Sequence, residues 1–189
     1  TRPGDEQLAA DCWQALKDEF PTLRVIIAPR HLKRLDEALV PFHGQVCCKR
    51  SDVISGRQNR QARIFIVDTM GELTRFYAIS NLAVIGGSFF PGVEGHNPLE
   101  SAALGIATIF GPYMGNFPDA AALLLDAEGA HQVEDPRELA ALLRRLIENP
   151  VLREQVAEKG RKAVLQSRGA VTRNIEIILR CLEAKMDKR

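Results

Sequence analysis

The chain has 189 residues, 46% of them apolar and 6% aromatic, and 25 basic against 24 acidic side chains give a net charge of +1. That length suits one ordinary domain, or half of a two-domain enzyme, with enough apolar residues for a real core. Balanced charge without a basic stripe excludes an electrostatic nucleic-acid footprint, and no apolar run approaches the roughly 18 residues of a membrane span.

The first residue is Thr1 rather than Met, and no signal-peptide pattern follows, so the chain reads as a fragment. Residues 5–19 read as a helix on the spacing of Leu8, Cys12 and Leu16, with Asp5 available as its cap. Leu23 to Ala28 is a β-branched run ended by Pro29, and Leu32, Leu35 and Leu39 suggest a short helix. Gln45 to Lys49 is a candidate strand, and Ser51 to Ala62 is polar and reads as a loop. Arg63 to Val67 is a strand, and Asp68-Thr69 opens a helix to about Ser80. Leu82 to Ile85 and Ala107 to Phe110 are further strands, with a helix between them and another over 117–127. Ala130 to Val133 reads as an edge strand, and a helical tail runs from Asp135 to the end, broken near Pro150 and Ser167-Arg168-Gly169.

Short apolar runs alternating with helices predict βαβ units and a parallel sheet covered on both faces. With right-handed crossovers, this is an α/β, Rossmann-like, doubly wound domain. Cys12, Cys47, Cys48 and Cys181 form no C-x-x-C pair. They are expected as reduced thiols of a cytosolic protein, not as a zinc or disulfide framework.

Doubly wound sheets bind ligands beyond the carboxyl ends of their strands. The sequences there are Pro29-Arg30-His31, Asp68-Thr69-Met70-Gly71-Glu72, Gly86-Gly87-Ser88 and Gly111-Pro112. After the third, Asn97-Pro98-Leu99-Glu100 has the N-x-x-E form of a capping box, with Pro in the first helical turn. A well-capped helix is the plain reading. The Gly-rich approach favours a helix N-terminus that faces an anion, with His96 a weaker ligand candidate. Thr69 and Glu72 form a second candidate capping box. Gly71, expected in that first turn, costs about 1 kcal/mol relative to Ala and so suggests close backbone approach. Glu72 is the alternative partner for ribose hydroxyls, and Arg30 is a candidate clamp for phosphate or carboxylate. No P-loop, G-x-G-x-x-G, G-x-S-x-G or H-E-x-x-H pattern occurs. Ser88 has no partnered His and Asp to make it a nucleophile.

Taken together, "APRH", "DTMGEL", "VIGGSFF", "EGHNPLESAALGIATIFGP" and "GNF" resemble, in order and spacing, the carboxyl-terminal half of bacterial 3-deoxy-D-manno-octulosonic acid (Kdo) transferases. The resemblance runs to about residue 170. It implies a GT-B glycosyltransferase of lipopolysaccharide biosynthesis with two Rossmann-like domains, of which this chain is the second. The donor implied is CMP-Kdo, and the acceptor is a lipid A precursor at the cytoplasmic face of the inner membrane. Its CMP contacts map onto Pro29, Arg30, Met70, Gly71, Glu72, Asn97, Pro98, Leu99 and Glu100, with Gly87, Ser88 and His96 as further donor contacts. No metal or cofactor is implied. The family's general base, a Glu, belongs to the amino-terminal domain, so no catalytic residue is expected here and the fragment is expected to bind donor without transferring it. Thr1-Arg2-Pro3-Gly4-Asp5 resembles the end of a family segment that follows a first strand, which this chain would lack.

Two departures touch the sugar side. Glu94 stands where the family often has Gly, and Tyr113 where it often has His. A GT-B domain for a UDP- or GDP-sugar, or a non-catalytic nucleotide-binding domain, are the alternatives.

Overall fold

Six short strands, each parallel to its neighbours, are separated by helices in a computed structural model of the chain, which describes residues 1–167. The strands are β1 (Val25–Ile27), β2 (Cys47–Lys49), β3 (Ile64–Ile66), β4 (Leu82–Val84), β5 (Ala107–Phe110) and β6 (Ala130–Gln132). The helices are α1 (Asp5–Leu16), α2 (Leu35–Leu39), α3 (Arg50–Ile54), α4 (Leu73–Ala78), α5 (Leu99–Ala103), α6 (Pro118–Asp126), α7 (Leu139–Glu148) and α8 (Pro150–Ser167). The predicted α/β class is the one observed.

The expected single sheet is divided in two. One half runs β1-β3-β2 and the other β4-β5-β6. Ile26 pairs with Phe65 and Phe65 with Cys48 in the first half, and Ala83 pairs with Thr108 and Ile109 with His131 in the second. Ile64, Ile66, Ile109 and Phe110 are all at most 1% exposed, as a parallel sheet covered by helices requires.

Apolar clusters hold the layers together. Trp13, Ile27, Phe42, Ile64 and Ile66 pack around the first half-sheet, and Ile85, Phe110, Leu124 and Val164 around the second. Cys12, Phe89, Ile109, Leu139 and Leu146 join α1 and α7 to β5. Each large side chain fully buried in this way contributes about 1.5–3 kcal/mol. Arg63 adds a polar tie. Its guanidinium lies 4.5 Å over the Trp13 ring and donates to the carbonyls of Lys17, Phe20 and Leu23, which fixes the turn between α1 and β1.

Several sequence expectations are corrected. The first helix ends at Leu16 rather than residue 19. Asp5 is its first residue, not its cap, and its Oδ2 accepts from the N–H groups of Arg2 and Gly87. The polar stretch expected as loop begins with α3, because Asp52 Oδ2 accepts from the Lys49 N–H and starts a helix there. In the tail, Asn149 accepts the Leu152 N–H (3.0 Å) and starts α8 beside Pro150. The rest of the expected tail, with its break after Ser167 and Cys181, lies outside the described residues. Cys12, Cys47 and Cys48 are free thiols, and burial pushes Cys12 up to about 11. Among the described residues, no helix is long and apolar enough to cross a membrane.

Candidate functional site

Parallel pairing brings the ends of all six strands to one edge, and the loops there are cross-linked by hydrogen bonds. The loop after β4 is the most constrained. Gly87 has φ +71, and a Cβ on it would stand 2.6 Å from Val93 Cγ1, so only glycine fits. Its N–H donates to Asp5 Oδ2 at 2.8 Å, and its carbonyl accepts from Gly95. Ser88 is 0% exposed. Its hydroxyl donates to the Ile85 carbonyl (2.6 Å) and accepts from the Gly111 N–H (2.9 Å). Ser88 therefore ties the end of β4 to the end of β5 and keeps no surface for a ligand. Gly111 is needed for the same contact, because a Cβ there would lie 2.3 Å from the Ser88 carbonyl oxygen.

Glu94 takes φ +61, the left-handed region. Gly avoids the roughly 1–2 kcal/mol this costs other residues, which accounts for the glycine common at this position in the resembling family. The chain accepts the strain because the Glu94 carbonyl receives the Asn116 N–H at 2.9 Å. The following helix is shorter than expected, five residues from Leu99. Asn97 does cap it, its Oδ1 accepting from the Leu99 N–H at 3.0 Å. Glu100 does not close the predicted box. Its carboxylate meets the Asn97 side-chain amide at 3.5 Å and not the backbone.

The loop after β1 lies beside the first residues of the chain. Arg30 N–H donates to the Thr1 carbonyl (3.1 Å), and Arg2 Nη1 donates to His31 Nε2 (2.7 Å). Pro29 is buried, and Arg30 is exposed with no ion pair among the described residues. His96, half-buried, faces this group. Burial, then the charges of the Thr1 ammonium, Arg2, Arg30 and His31, push it down to about 4, so it is neutral at pH 7. Its Nε2 is buried without a partner among the described residues.

The loops after β2 and β3 form the other part of the edge. Arg50 grips Glu72 with two bonds, Nε to Oε2 (3.1 Å) and Nη2 to Oε1 (3.0 Å). Thr69 Oγ1 donates to Glu72 Oε2 at 2.5 Å, and Arg75 stands 3.5 Å from Oε1. These contacts, Arg50 first and Thr69 next, pull the Glu72 carboxyl down to about 2. Asp68 accepts from both the N–H (2.9 Å) and the hydroxyl (2.5 Å) of Ser51. The predicted capping box at Thr69 and Glu72 is thus corrected. The two side chains bond to each other, and α4 begins only at Leu73. Gly71 precedes that helix at φ +78 with open space where a Cβ would be, so its glycine serves a left-handed turn and not a tight approach within a helix. Met70 is 68% exposed beside it.

The predicted residues therefore fall in two groups on one edge. Arg30 and His96 gather with Thr1, Arg2 and His31. Glu72 is locked to Arg50, with α4 against α5, where burial, and then the Glu100 charge, push Tyr77 up to about 12. Sequence reasoning missed Arg2, Arg50 and Ser51. Arg50 and Ser51 directly follow β2, so the strand-end rule applied to that strand would have found them. Among the described residues no three His, Cys, Asp or Glu side chains gather as a metal set.

No family model matches the chain. It is 34% identical over 163 residues to a probable mitochondrial 3-deoxy-D-manno-octulosonic acid transferase of Arabidopsis thaliana, covering 80% of this chain and 34% of that protein. It is 27% identical over 187 residues to the 3-deoxy-D-manno-octulosonic acid transferase of Haemophilus influenzae, covering 97% of this chain and 43% of that one. The chain thus spans between a third and a half of the length of these relatives. Among solved structures, the C-terminal CMP-Kdo binding domain of WaaA from Acinetobacter baumannii superposes with a TM-score of 0.79 at 26% identity, over 87% of this chain and 85% of that domain.

Proposed function

The chain belongs to the 3-deoxy-D-manno-octulosonic acid transferase family, and from that premise we propose that it is the donor domain, binding CMP-Kdo along the strand-end edge. The observation that carries this reading is the likeness, over nearly the whole chain, to a domain described as binding CMP-Kdo. The edge geometry supports it. Arg30 is exposed with no ion pair among the described residues, and suits the phosphate of the nucleotide as a charge-assisted donor. The first turn of α5, three residues after His96, leaves the Glu100 and Ser101 N–H groups without intrahelical acceptors. Glu72, ionised and held by Arg50, suits an acceptor for ribose hydroxyls. Pro29, Met70, Gly71, Asn97, Pro98 and Leu99 shape the rest of the nucleotide site, with Gly87 and His96 nearer the sugar.

In the whole enzyme the sugar passes to a lipid A precursor presented by an amino-terminal domain at the cytoplasmic face of the inner membrane. CMP leaves as a phosphate monoester, and Arg30 with the α5 N–H groups offsets the charge that develops on it. The general base belongs to the amino-terminal domain, so this chain binds donor and does not turn it over. Kdo transfer by the chain alone in a purified assay would contradict that division.

Calorimetric titration of CMP into the parent and three variants tests the site. Arg30→Ala removes a charged hydrogen bond worth about 1.5–3 kcal/mol and should weaken CMP by about 10- to 100-fold. Asn97→Ala removes the cap of α5 and should weaken it about threefold to tenfold, and Glu100→Ala, which removes only a long contact to the Asn97 amide, should weaken it less. Binding like the parent's in all three would remove the assignment.

A further inference from the structure

Two successive residues after β2 grip both ends of one loop. Ser51 donates its N–H (2.9 Å) and its hydroxyl (2.5 Å) to Asp68, just after β3. Arg50 holds Glu72, at the other end of that loop, through Nε to Oε2 (3.1 Å) and Nη2 to Oε1 (3.0 Å). Between the two pins lie Met70, 68% exposed, and Gly71 in its left-handed turn. The pins do different work. Ser51 and Asp68 already tether the loop after β3 to the loop after β2. Glu72 adds nothing to the start of α4, because its side chain accepts no backbone N–H there. Yet its side chain is 16% exposed and that of Arg50 26%, so both have given up much of their hydration for the contact.

The bonds to Glu72 fall unequally on its two oxygens. Oε2 takes both Arg50 Nε and Thr69 Oγ1 (2.5 Å), which fills its two acceptor sites. Oε1 takes Arg50 Nη2 and only a 3.5 Å approach from Arg75, whose side chain is 80% exposed. A contact of that length is a weak hydrogen bond at best. Oε1 therefore keeps one acceptor site for a ligand.

We propose that Arg50 is a positioning residue that sets sugar selectivity: with Thr69 it turns Glu72 so that Oε1 accepts from a ribose hydroxyl, and the site thereby prefers nucleotides that carry one. The inference rests on the reading of this edge as a CMP site and adds to it a residue that does not touch the ligand. The planar fork of a guanidinium fixes both the direction and the plane of a carboxylate, which the point charge of Lys does not. An acceptor already held in place meets the hydroxyl without losing rotamer freedom on binding. Without Arg50, Arg75 is the cation left beside Glu72, and it draws the carboxylate toward solvent.

The test is calorimetric titration of CMP, and of dideoxycytidine monophosphate, which lacks both ribose hydroxyls, into the parent, Arg50→Ala, Arg50→Lys and Ser51→Ala. The readout is the ratio of the two dissociation constants. A merely structural loss weakens both nucleotides alike and cancels in that ratio. The parent should prefer CMP by about tenfold or more. Arg50→Ala should reduce the preference to about threefold or less, and Arg50→Lys should restore part of it. Ser51→Ala, which frees the other end of the loop and leaves Glu72 gripped, should weaken both nucleotides and keep the ratio. The full preference in Arg50→Ala would overturn the inference and leave the CMP site standing, as would equal binding of both nucleotides by the parent. Failure of the parent to bind either nucleotide would overturn the CMP site and this inference with it. If Arg50→Ala does not fold, Arg50→Lys decides: a reduced ratio supports the inference, and the full parental ratio overturns it.

Discussion

Two acidic side chains near the strand ends are shifted in opposite directions, Glu72 down and Asp5 up, and each makes a separate prediction. Arg50 and Thr69 hold the Glu72 carboxyl near 2, below its ordinary value of 4.5. A depressed carboxyl contributes stability that is fully present above its unfolded value and is lost as pH falls through its folded value. Acid unfolding followed between about pH 4.5 and 2 should therefore be steeper for the parent than for Glu72→Gln, and equal slopes would place the Arg50 contact in doubt. Asp5 is the reverse case. Burial raises its carboxyl, although the N–H groups of Arg2 and Gly87 favour the charge. Its contribution is therefore present below the ordinary value and is lost as pH rises through the raised one. Asp5 is valuable as an acceptor and not as a charge. In urea unfolding at pH 7, Asp5→Asn should be as stable as the parent or more so. Asp5→Ala, which leaves the buried Gly87 N–H and the part-buried Arg2 N–H without this acceptor, should lose about 1–3 kcal/mol. Equal losses in both would mean that the charge itself matters.

At the scale of elements, α8 packs backbone to backbone against the turn before β6. Gly160 lies at its middle, and a Cβ there would stand 2.5 Å from the Gly129 carbonyl oxygen, just before β6. Helix propensity alone favours Ala over Gly by about 1 kcal/mol. Overpacking against rigid backbone costs about 1–3 kcal/mol or more, and two backbones leave nothing to yield. Gly160→Ala should therefore lower stability by about 1–2 kcal/mol, measured by urea unfolding. A gain would mean that α8 sits farther from the sheet. The strands were legible because β-branched runs such as Val25-Ile26-Ile27 and Ile64-Phe65-Ile66 suit nothing else at that length. The starts of helices were less so. Thr69 and Glu72 fit a capping box by spacing, but Arg50, 22 positions earlier, takes the Glu72 carboxylate instead. No local pattern reveals a partner at that separation.

For the whole molecule, the strand-end rule led from sequence to the loops that follow the strands, because parallel pairing gathers βα loops on one side. It did not reveal that the sheet is divided, since pairing across a gap depends on a neighbour's presence and not on the residues of β1 or β4. Nor did it order the edge into its two groups, one cationic around Arg30 and one around the Arg50–Glu72 pair. That arrangement follows from Thr1 and Arg2 lying against the end of β1, a contact across 27 positions or more.

The central claim is that this edge holds a cytidine monophosphate. Calorimetric titration of CMP, UMP and UDP into the unmodified chain under one buffer tests it most directly. The account predicts that CMP binds more tightly than UMP or UDP. Preference for UDP, or no CMP binding where UMP binds, would contradict it.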